Sequence, residues 1–216
     1  MAEGLPFISK PSGPLVGPPG WGLSDDELAN FVPGYKRGDG YEADLEMARG
    51  LLAAAGYPDG LETEVIGSQT AALETSLEVI VDHMSRIGIT ASPSSGGVPS
   101  ADDVKRRSEG DFELNVQSVT LSFPDPDGAD QAVIPGLFTK LEDAEIQRLF
   151  EAQGAESDPG KRAELVRQLQ IRMLEQVSII PIGWQELFWL TQGNVHNLYP
   201  PMAWSDANFD HVWKDA

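Results

Sequence analysis

Three acidic residues form the first group whose types and spacing could do chemistry: Asp125, Asp127 and Asp130, close together around Gly128. Calcium loops also place alternating carboxylates around a glycine. Here the spacing differs from that of an EF-hand, no bidentate glutamate follows at the twelfth position, and Pro126 stiffens the segment. We interpret the segment as a proline-directed turn with solvated carboxylates. Calcium binding, and hydrolysis by Asp125 with a neighbouring acid, stay open as alternatives.

The other side chains that often do chemistry form no catalytic or metal-binding pattern. His83 falls in a predicted helix where Ile80 and Ile87 occupy the positions of a second metal ligand. His196 and His211 lie in the tail of the chain. The chain has no cysteine, no G-x-S-x-G elbow and no Walker or Rossmann glycine pattern. We therefore predict a protein that is not an enzyme and that uses neither a metal nor a cofactor.

Aromatic residues in the apolar run from Ile179 to Leu190 suggest a different chemistry, that of a binding surface. If this run is a strand, Trp184 and Phe188 lie on one face and Trp189 lies on the other. Such residues either pack in a core or line a ligand cleft. Trp184 is therefore a candidate ligand contact, with core packing as the alternative.

The charge balance narrows the classes of partner. The formal net charge is -19, from 34 acidic residues against 15 basic ones. A surface this acidic repels nucleic acid and anionic lipid, so neither is an expected partner. No apolar run reaches the length of a membrane helix, and residues 1–14 lack the pattern of an export signal. An exported parent protein would carry its signal outside this sequence.

The elements that must position these residues alternate between helices and strands. Residues 1–40 contain many prolines and predict an irregular arm, anchored by Trp21, Phe31 and Tyr35. After the arm, helical periodicity ends at Gly56 in a helix that Asp44 is expected to cap. Further elements are predicted as strands at 61–66, 89–92, 112–116 and 179–190, and as helices at 71–86, 100–107, 144–153 and from 158 onward.

This alternation predicts an α/β fold with a mixed sheet flanked by helices. We divide the chain into the arm at 1–40, an α/β lobe at 41–192 and a C-terminal segment at 193–216.

Several short motifs, in one order, resemble those of the family 5 extracellular solute-binding proteins, the oligopeptide and nickel-binding type. Each motif alone is weak, but their shared order along the chain is specific. The motifs are DLEMARGLLAAAGYPDG at 44–60, RIGI at 86–89, GDFEL at 110–114, FPDPD at 123–127, DPGKR at 158–162 and IIPI at 179–182.

The resemblance implies a type II periplasmic-binding-protein fold in which two lobes close around a solute and deliver it to an ABC permease. This chain would be the second lobe, with 193–216 returning toward an N-terminal lobe that precedes residue 1. The implied location is extracytoplasmic, in the periplasm or as a cell-surface lipoprotein. The implied partners are a small solute such as a peptide or a sugar, the permease and the N-terminal lobe.

The resemblance also places the ligand contacts in the segment after Gly110. Family members carry a tryptophan and an aspartate where this chain has Val119 and Ser122. In peptide binders of the family, that aspartate pairs with the amino terminus of the peptide. A hydroxyl cannot supply that charge, so a neutral or differently charged solute is at least as good an expectation. The full set of expected ligand contacts is Ser118, Val119, Ser122, Phe123, Asp125 and Trp184.

Two other functions remain alternatives to transport. One is a structural or regulatory protein derived from the same lobe. The other is the carboxylate-dependent hydrolase considered above.

Overall fold

The computed structural model describes residues 13–15, 21–31, 39–67, 71–94, 100–117, 125–129, 141–177, 179–183, 190–198 and 209–215. Within these ranges no helix is long and apolar enough to cross a membrane. The elements in chain order are α1 (Asp25–Phe31), α2 (Asp39–Ala54), β1 (Leu61–Ile66), α3 (Ala71–Ser85), β2 (Ile89–Pro93), α4 (Ala101–Glu109), β3 (Leu114–Asn115), a 3-10 helix (Pro126–Ala129), α5 (Ala144–Ala155), α6 (Pro159–Glu175), β4 (Val195–His196) and β5 (Trp213–Lys214).

A parallel sheet with the strand order β2-β1-β3 forms the centre of the first half. Leu61 pairs with Ile89 where β1 begins, and Ile66 pairs with Asn115 where it ends. Helix α3 packs on one face of the sheet through an apolar stripe. The predicted α/β architecture is therefore confirmed. The buried cluster on this face consists of Val65, Leu77 and Ala91, with Val81, Met84, Leu114 and Val116 packed against it.

The end of α2 follows the sequence prediction. Gly56 has φ +100°, its amide donates to Ala53 O, and the Tyr57 amide donates to Leu52 O, which is the Schellman pattern. Gly60 also has φ +100°, and a Cβ there would lie 2.5 Å from Gly88 O. Only glycine fits this approach of two loops, which brings the amino ends of β1 and β2 together.

The start of α2 differs from the prediction. The helix begins at Asp39, so Asp44 lies inside it and is 4% exposed, and it is not the N-cap. Asp39 and Glu42 place negative charge in the true first turn, where the helix dipole favours it. Glycine disfavours helix, so the glycines in this stretch did not indicate that α2 begins before Asp44.

The arm is less irregular than predicted, because α1 lies within it. Ser24 and Glu27 form a capping box: the Glu27 amide donates to Ser24 Oγ at 3.3 Å, and the Ser24 amide donates to Glu27 Oε2 at 2.9 Å. Leu23 and Leu28 bury their side chains with Leu174 of α6. The expected packing of the arm is thus observed for Trp21, whereas Phe31 is 36% exposed. Tyr35 lies outside the described residues.

Helices α5 and α6 form the second half of the molecule, and both begin as predicted. Asp143 caps α5, and Asp158 caps α6 with Pro159 in its first turn. We call these two helices the helix pair. Their shared core, which includes one residue of the arm, consists of Leu15, Ile146, Leu149, Val166, Leu169 and Met173.

The apolar run at 179–190 does not form the predicted strand in its described parts. Residues 179–183 belong to no described strand, and Ile180 and Leu190 are 58% and 96% exposed. Apolar composition alone does not specify a strand when no neighbouring edge pairs with it. In the tail, β4 and β5 pair antiparallel, and His196 stacks on Trp213 at 4.1 Å between ring centroids.

Candidate functional site

The carboxyl ends of β1 and β3 mark the position where an open α/β sheet binds its ligands. With the order β2-β1-β3, the connections run to opposite sides of β1, so the switch point lies between β1 and β3. Ile66 and Asn115 face each other there. The chain leaves β3 through Val116, whose amide donates to Ile66 O at 2.9 Å, and then Gln117.

Polar atoms without partners are concentrated near this edge. Leu114 and Val116 pack on the α3 side of the sheet, so Asn115 and Gln117 belong to the opposite face. Asn115 Nδ2 donates to Gln117 Oε1 at 3.1 Å, but Asn115 Oδ1 is buried and has no hydrogen-bond partner among the described residues. Ser94, one residue beyond β2, is 8% exposed, and its Oγ also lacks a partner in the part of the chain that the structure describes. Buried atoms of this kind are rare and require an explanation.

Helix α4 adds a buried cation to the same half of the molecule. Arg107 is 8% exposed, and its Nε and Nη2 have no hydrogen-bond partner within the described ranges. Its neighbour Arg106 is bound to Glu64 of β1 at 2.5 Å, so α4 lies against the sheet. Leaving a buried guanidinium unpaired costs free energy that an anionic or carbonyl oxygen of a ligand would recover.

Most of the predicted ligand contacts lie outside the described residues. These are Ser118, Val119, Ser122 and Phe123, which follow β3 directly in the chain, and Trp184. Asp125 is described, and it has a defined set of partners.

Asp125 forms a two-pronged ion pair with Arg162 of α6. Arg162 Nη2 donates to Asp125 Oδ1 at 2.6 Å, and Nη1 donates to Oδ2 at 2.9 Å. The Asp127 amide donates to the same Oδ1 at 3.0 Å. Burial alone would raise the pKa of Asp125, but these hydrogen bonds and the guanidinium charge hold it below the ordinary value. Asp125 is therefore an ionised, paired carboxylate.

The guanidinium of Arg162 reaches three further groups, Gln153, the Trp21 ring and Asp127, whose Oδ2 lies 3.6 Å from Nη2. Its Nε donates to Gln153 Oε1 at 3.0 Å, and Gln153, which is fully buried, donates through Nε2 to Asp127. Arg162 also lies 5.1 Å from the centre of the Trp21 ring, in a cation–π arrangement. We call Trp21, Asp125, Asp127, Gln153 and Arg162 the clamp. It joins the arm, the 3-10 helix and both members of the helix pair.

The predicted turn at 125–129 is confirmed, since the Gly128 amide donates to Asp125 O at 2.8 Å. Its carboxylates were expected to be solvated, but Asp125 is paired with Arg162 and Asp127 accepts from Gln153, while Asp130 lies outside the described residues. Both oxygens of Asp125 accept hydrogen bonds from the protein, which leaves them poorly placed for a cation or for acid–base chemistry. The described residues contain no cluster of acidic and histidine side chains that could hold a metal.

Two more ion pairs hold the helix pair, one between its two helices and one between α6 and the arm. Neither was predicted from the sequence. Arg172 Nη2 binds Asp143 Oδ2 at 2.6 Å, and this contact with the guanidinium is the main reason that the pKa of Asp143 is lowered. Arg167 Nε binds Glu27 at 2.7 Å. The Ser24 amide first, then the Arg167 side chain, lower the pKa of Glu27 to about 2. The Ser-x-x-Glu capping box was the one signal that could have revealed α1.

A shallow groove at the opposite, amino edge of the sheet is the main competitor as a binding surface. Arg49, Leu52, Tyr57 and Arg86 contribute to its lining. The cations there are already engaged: Arg49 donates to Arg86 O at 2.6 and 2.9 Å, and Arg86 binds Asp82 at 2.6 Å. Both guanidinium groups of the groove are therefore bound to protein groups in the free chain.

His83 has a protein partner and no metal-binding neighbours among the described residues. Its Nδ1 lies 3.1 Å from the Tyr41 hydroxyl, which links α3 to α2. Burial is the main cause that lowers the pKa of His83, so the neutral imidazole is favoured.

Comparison with known proteins points to one family. A profile described as "Bacterial extracellular solute-binding proteins, family 5 Middle" matches residues 10–131, more than half of the 216 residues. The heme-binding protein A of Haemophilus influenzae is 26% identical over 154 residues, which cover 66% of this chain and 28% of that protein.

Solved structures confirm the fold class. The structure of HbpA2 from Haemophilus parasuis is 28% identical with a TM-score of 0.54, covering 69% of this chain and 30% of that one. The clavulanic acid biosynthesis oligopeptide binding protein 2 is 25% identical with a TM-score of 0.65, covering 92% of this chain and 37% of that one. This chain thus spans 28% to 37% of the length of these relatives.

Proposed function

Because this chain belongs to the family 5 bacterial extracellular solute-binding proteins, we propose that it contributes one wall of the solute cleft in the binding component of an ABC importer. The wall is the carboxyl edge of the β2-β1-β3 sheet. In this proposal the protein captures a solute outside the cytoplasm and delivers it to a permease. It performs no chemical reaction on the solute.

One observation carries the proposal: two buried polar atoms at the edge where such sheets bind ligands have no partner among the described residues. They are Ser94 Oγ and Asn115 Oδ1, and Arg107 on the neighbouring helix α4 has two further nitrogens of this kind. A solute that donates to Asn115 Oδ1 and pairs with Ser94 Oγ would satisfy the two atoms at the edge. Selection for stability alone would remove unpaired buried polar atoms, because they destabilise the free protein. Their presence therefore indicates a binding site.

The second wall is proposed to come from an N-terminal lobe. The relatives are about three times as long as the part that this chain matches. In two-lobed binding proteins, the solute is enclosed when the lobes rotate about a hinge. Affinity then depends on contacts from both sides of the cleft, so this chain alone is expected to bind weakly.

The segment after β3 supplies the proposed ligand contacts, Ser118, Val119, Ser122 and Phe123, and Trp184 adds an aromatic wall. The relatives include a protein named for heme and one named for oligopeptides. Ser122 offers a hydroxyl and no charge, which disfavours recognition of a free peptide amino terminus. Together with Arg107, this composition favours a solute that has an anionic or carbonyl group and no essential cation.

Isothermal titration calorimetry of the full gene product tests the proposal. The probes are hemin, tetra-alanine, N-acetylated tetra-alanine and maltose, each compared with the Arg107→Met variant. We expect one probe class to bind, and the Arg107→Met change to weaken that binding about tenfold or more. If the full gene product binds none of these probes but hydrolyses a model ester or glycoside, the transport proposal is wrong. If it neither binds nor hydrolyses, a structural or regulatory role is favoured.

A further inference from the structure

We propose that Asp125 and Arg162 are positioning residues for the ligand-contacting segment, and that Asp125 does not itself contact the solute. The pair fixes the far end of the segment that begins where β3 ends. The proposal deepens the function proposed above, on which it rests for the identity of the segment. It replaces the ligand contact that the sequence analysis assigned to Asp125.

Both carboxylate oxygens of Asp125 already accept hydrogen bonds from the protein. Oδ1 accepts from Arg162 Nη2 and from the Asp127 amide, and Oδ2 accepts from Arg162 Nη1. A parallel, two-pronged pair of this kind holds both side chains in one orientation. A cationic solute would have to displace a guanidinium that is only 19% exposed, which would leave that charge poorly paired.

The described residues at both ends of the segment are held by hydrogen bonds. At one end, the Val116 amide is hydrogen-bonded to β1 through Ile66 O. At the other end, Asp125 is held by Arg162 and the turn is closed by the Gly128 amide. Residues 118–124 therefore connect two fixed points, and the clamp sets one of them. Restricting both ends lowers the entropy that the segment loses when it meets a solute.

Arg162 also contacts parts of the chain other than the turn that contains Asp125. It contacts Gln153 at the end of α5 and stacks on Trp21 of the arm. Three parts of the chain that are far apart in sequence thus depend on one side chain. Two of the motifs that carry the family resemblance, FPDPD and DPGKR, meet in this contact. Their joint presence is explained without any ligand.

The same helix pair contains a matched control. Arg172 of α6 binds Asp143, the N-cap of α5, with Nη2 to Oδ2 at 2.6 Å and Nε to Oδ1 at 3.4 Å. This pair also joins a charged fork to a carboxylate that accepts backbone amides. It lies at the other end of α5 from Gln153, and it has no hydrogen bond to residues 125–129. Weakening it should loosen the helix pair without touching the segment.

Hydrogen-exchange mass spectrometry of Arg162→Lys and Arg172→Lys in the full gene product, with no solute present, tests the inference. Lysine keeps the charge but loses the two-pronged fork. We expect peptides covering 118–129 to exchange about tenfold faster in Arg162→Lys and to be unchanged in Arg172→Lys. Arg172→Lys should instead accelerate exchange at Glu145 and Ile146, whose amides bind Asp143.

Equal exchange of 118–129 in both variants would overturn the inference. If Arg162→Lys fails to fold, Asp125→Asn replaces it, because the amide keeps the shape and removes the ion pair. The same acceleration is expected for that variant. Since no solute is used, a failure here is distinct from a failure of the proposed function, which the calorimetric titrations decide.

Discussion

The carboxyl edge of the sheet and the helix pair treat their buried polar groups in opposite ways. At the edge, Ser94 and Asn115 keep atoms that have no partner among the described residues, and so does Arg107 on the neighbouring helix α4. At the helix pair, Arg162 of α6 and Asp125 satisfy each other, and Arg162 also binds Gln153 of α5. In the described part of the helix pair, Gln170 Oε1 is the exception.

Under the proposed function, this difference separates a surface that binds a solute from a support that provides stability. Unpaired buried polar groups lower the stability of the free protein, and a ligand that pairs with them recovers that cost. A network of paired groups does the reverse, because it orders the elements that surround it. The clamp belongs to the support, and Asp125 in it directly follows the proposed ligand segment in the chain.

The core of the support gives the largest expected effect. Leu169 of α6 is fully buried in the core that the helix pair shares with Leu15 of the arm. We expect Leu169→Ala to lower the free energy of unfolding by about 3 kcal/mol, through lost burial and a residual cavity. Urea denaturation followed by circular dichroism measures this change.

Leu51→Ala is the control for that measurement, because Leu51 is 65% exposed on α2. Its free energy of unfolding should change by no more than about 0.5 kcal/mol. Equal losses for the two variants would mean that the helix pair is not a tightly packed support.

Two arginine substitutions should act with opposite signs. Arg162→Met breaks a paired network and should lower the free energy of unfolding by about 2 kcal/mol. Arg107→Met removes a buried cation whose Nε and Nη2 have no partner among the described residues, and it should raise the free energy of unfolding by about 1 kcal/mol. Thermal or urea unfolding of the two variants measures both signs. A loss of stability in Arg107→Met would show that this guanidinium has a structural role and would undermine the binding interpretation of the edge.

The amino edge of the sheet offers a smaller test of rigidity. Gly60 and Gly56 share φ +100°, but only at Gly60 would a Cβ meet a backbone oxygen, that of Gly88. Gly60→Ala should therefore cost about 1 kcal/mol more than Gly56→Ala, for which backbone strain alone applies. Parallel urea denaturation of both variants isolates the close contact. Equal costs would show that the two loops can separate without penalty.

The arm gives the smallest effect, and it depends on pH. The folded-state pKa of Glu27 is about 2, below its ordinary value of 4.5. A depressed carboxylate contributes stability that is present above about pH 4.5 and is lost as the pH falls toward 2. We expect wild type to exceed Glu27→Gln by about 1 kcal/mol at pH 7 and by much less at pH 2.5. A difference that does not change with pH would exclude the ion pair and its capping box as the cause.

The sequence predicted the sheet half of the fold well because its signals are local. The strand at 61–66, the Gly56 helix end and the helix predicted at 100–107, which the structure has at Ala101–Glu109, each follow from neighbouring residues. The early start of α2 and the helix in the arm were missed, since glycine and proline content outweighed weaker capping signals. The strand predicted at 179–190 is wrong in its described parts, because strand formation requires a pairing partner that the sequence does not reveal.

The candidate site was predictable only as a list of positions. The family resemblance located the segment after β3, but the clamp depends on a contact between residues 125 and 162, which no periodicity shows. The unpaired atoms of Ser94, Asn115 and Arg107 are visible only after packing has removed water from them. The ordered motifs therefore indicated the class of protein, and only the three-dimensional contacts distinguish the proposed binding surface from its support.

The most direct test of this account is a hydrogen-exchange comparison of the full gene product with and without a probe that binds in the calorimetric panel. The account predicts that the probe slows exchange in peptides covering residues 112–124 and 94–107, while the interior of α5 and α6 stays unchanged. Protection confined to the amino-edge groove, at residues 49–60 and 85–88, would contradict the assignment of the carboxyl edge as the binding surface.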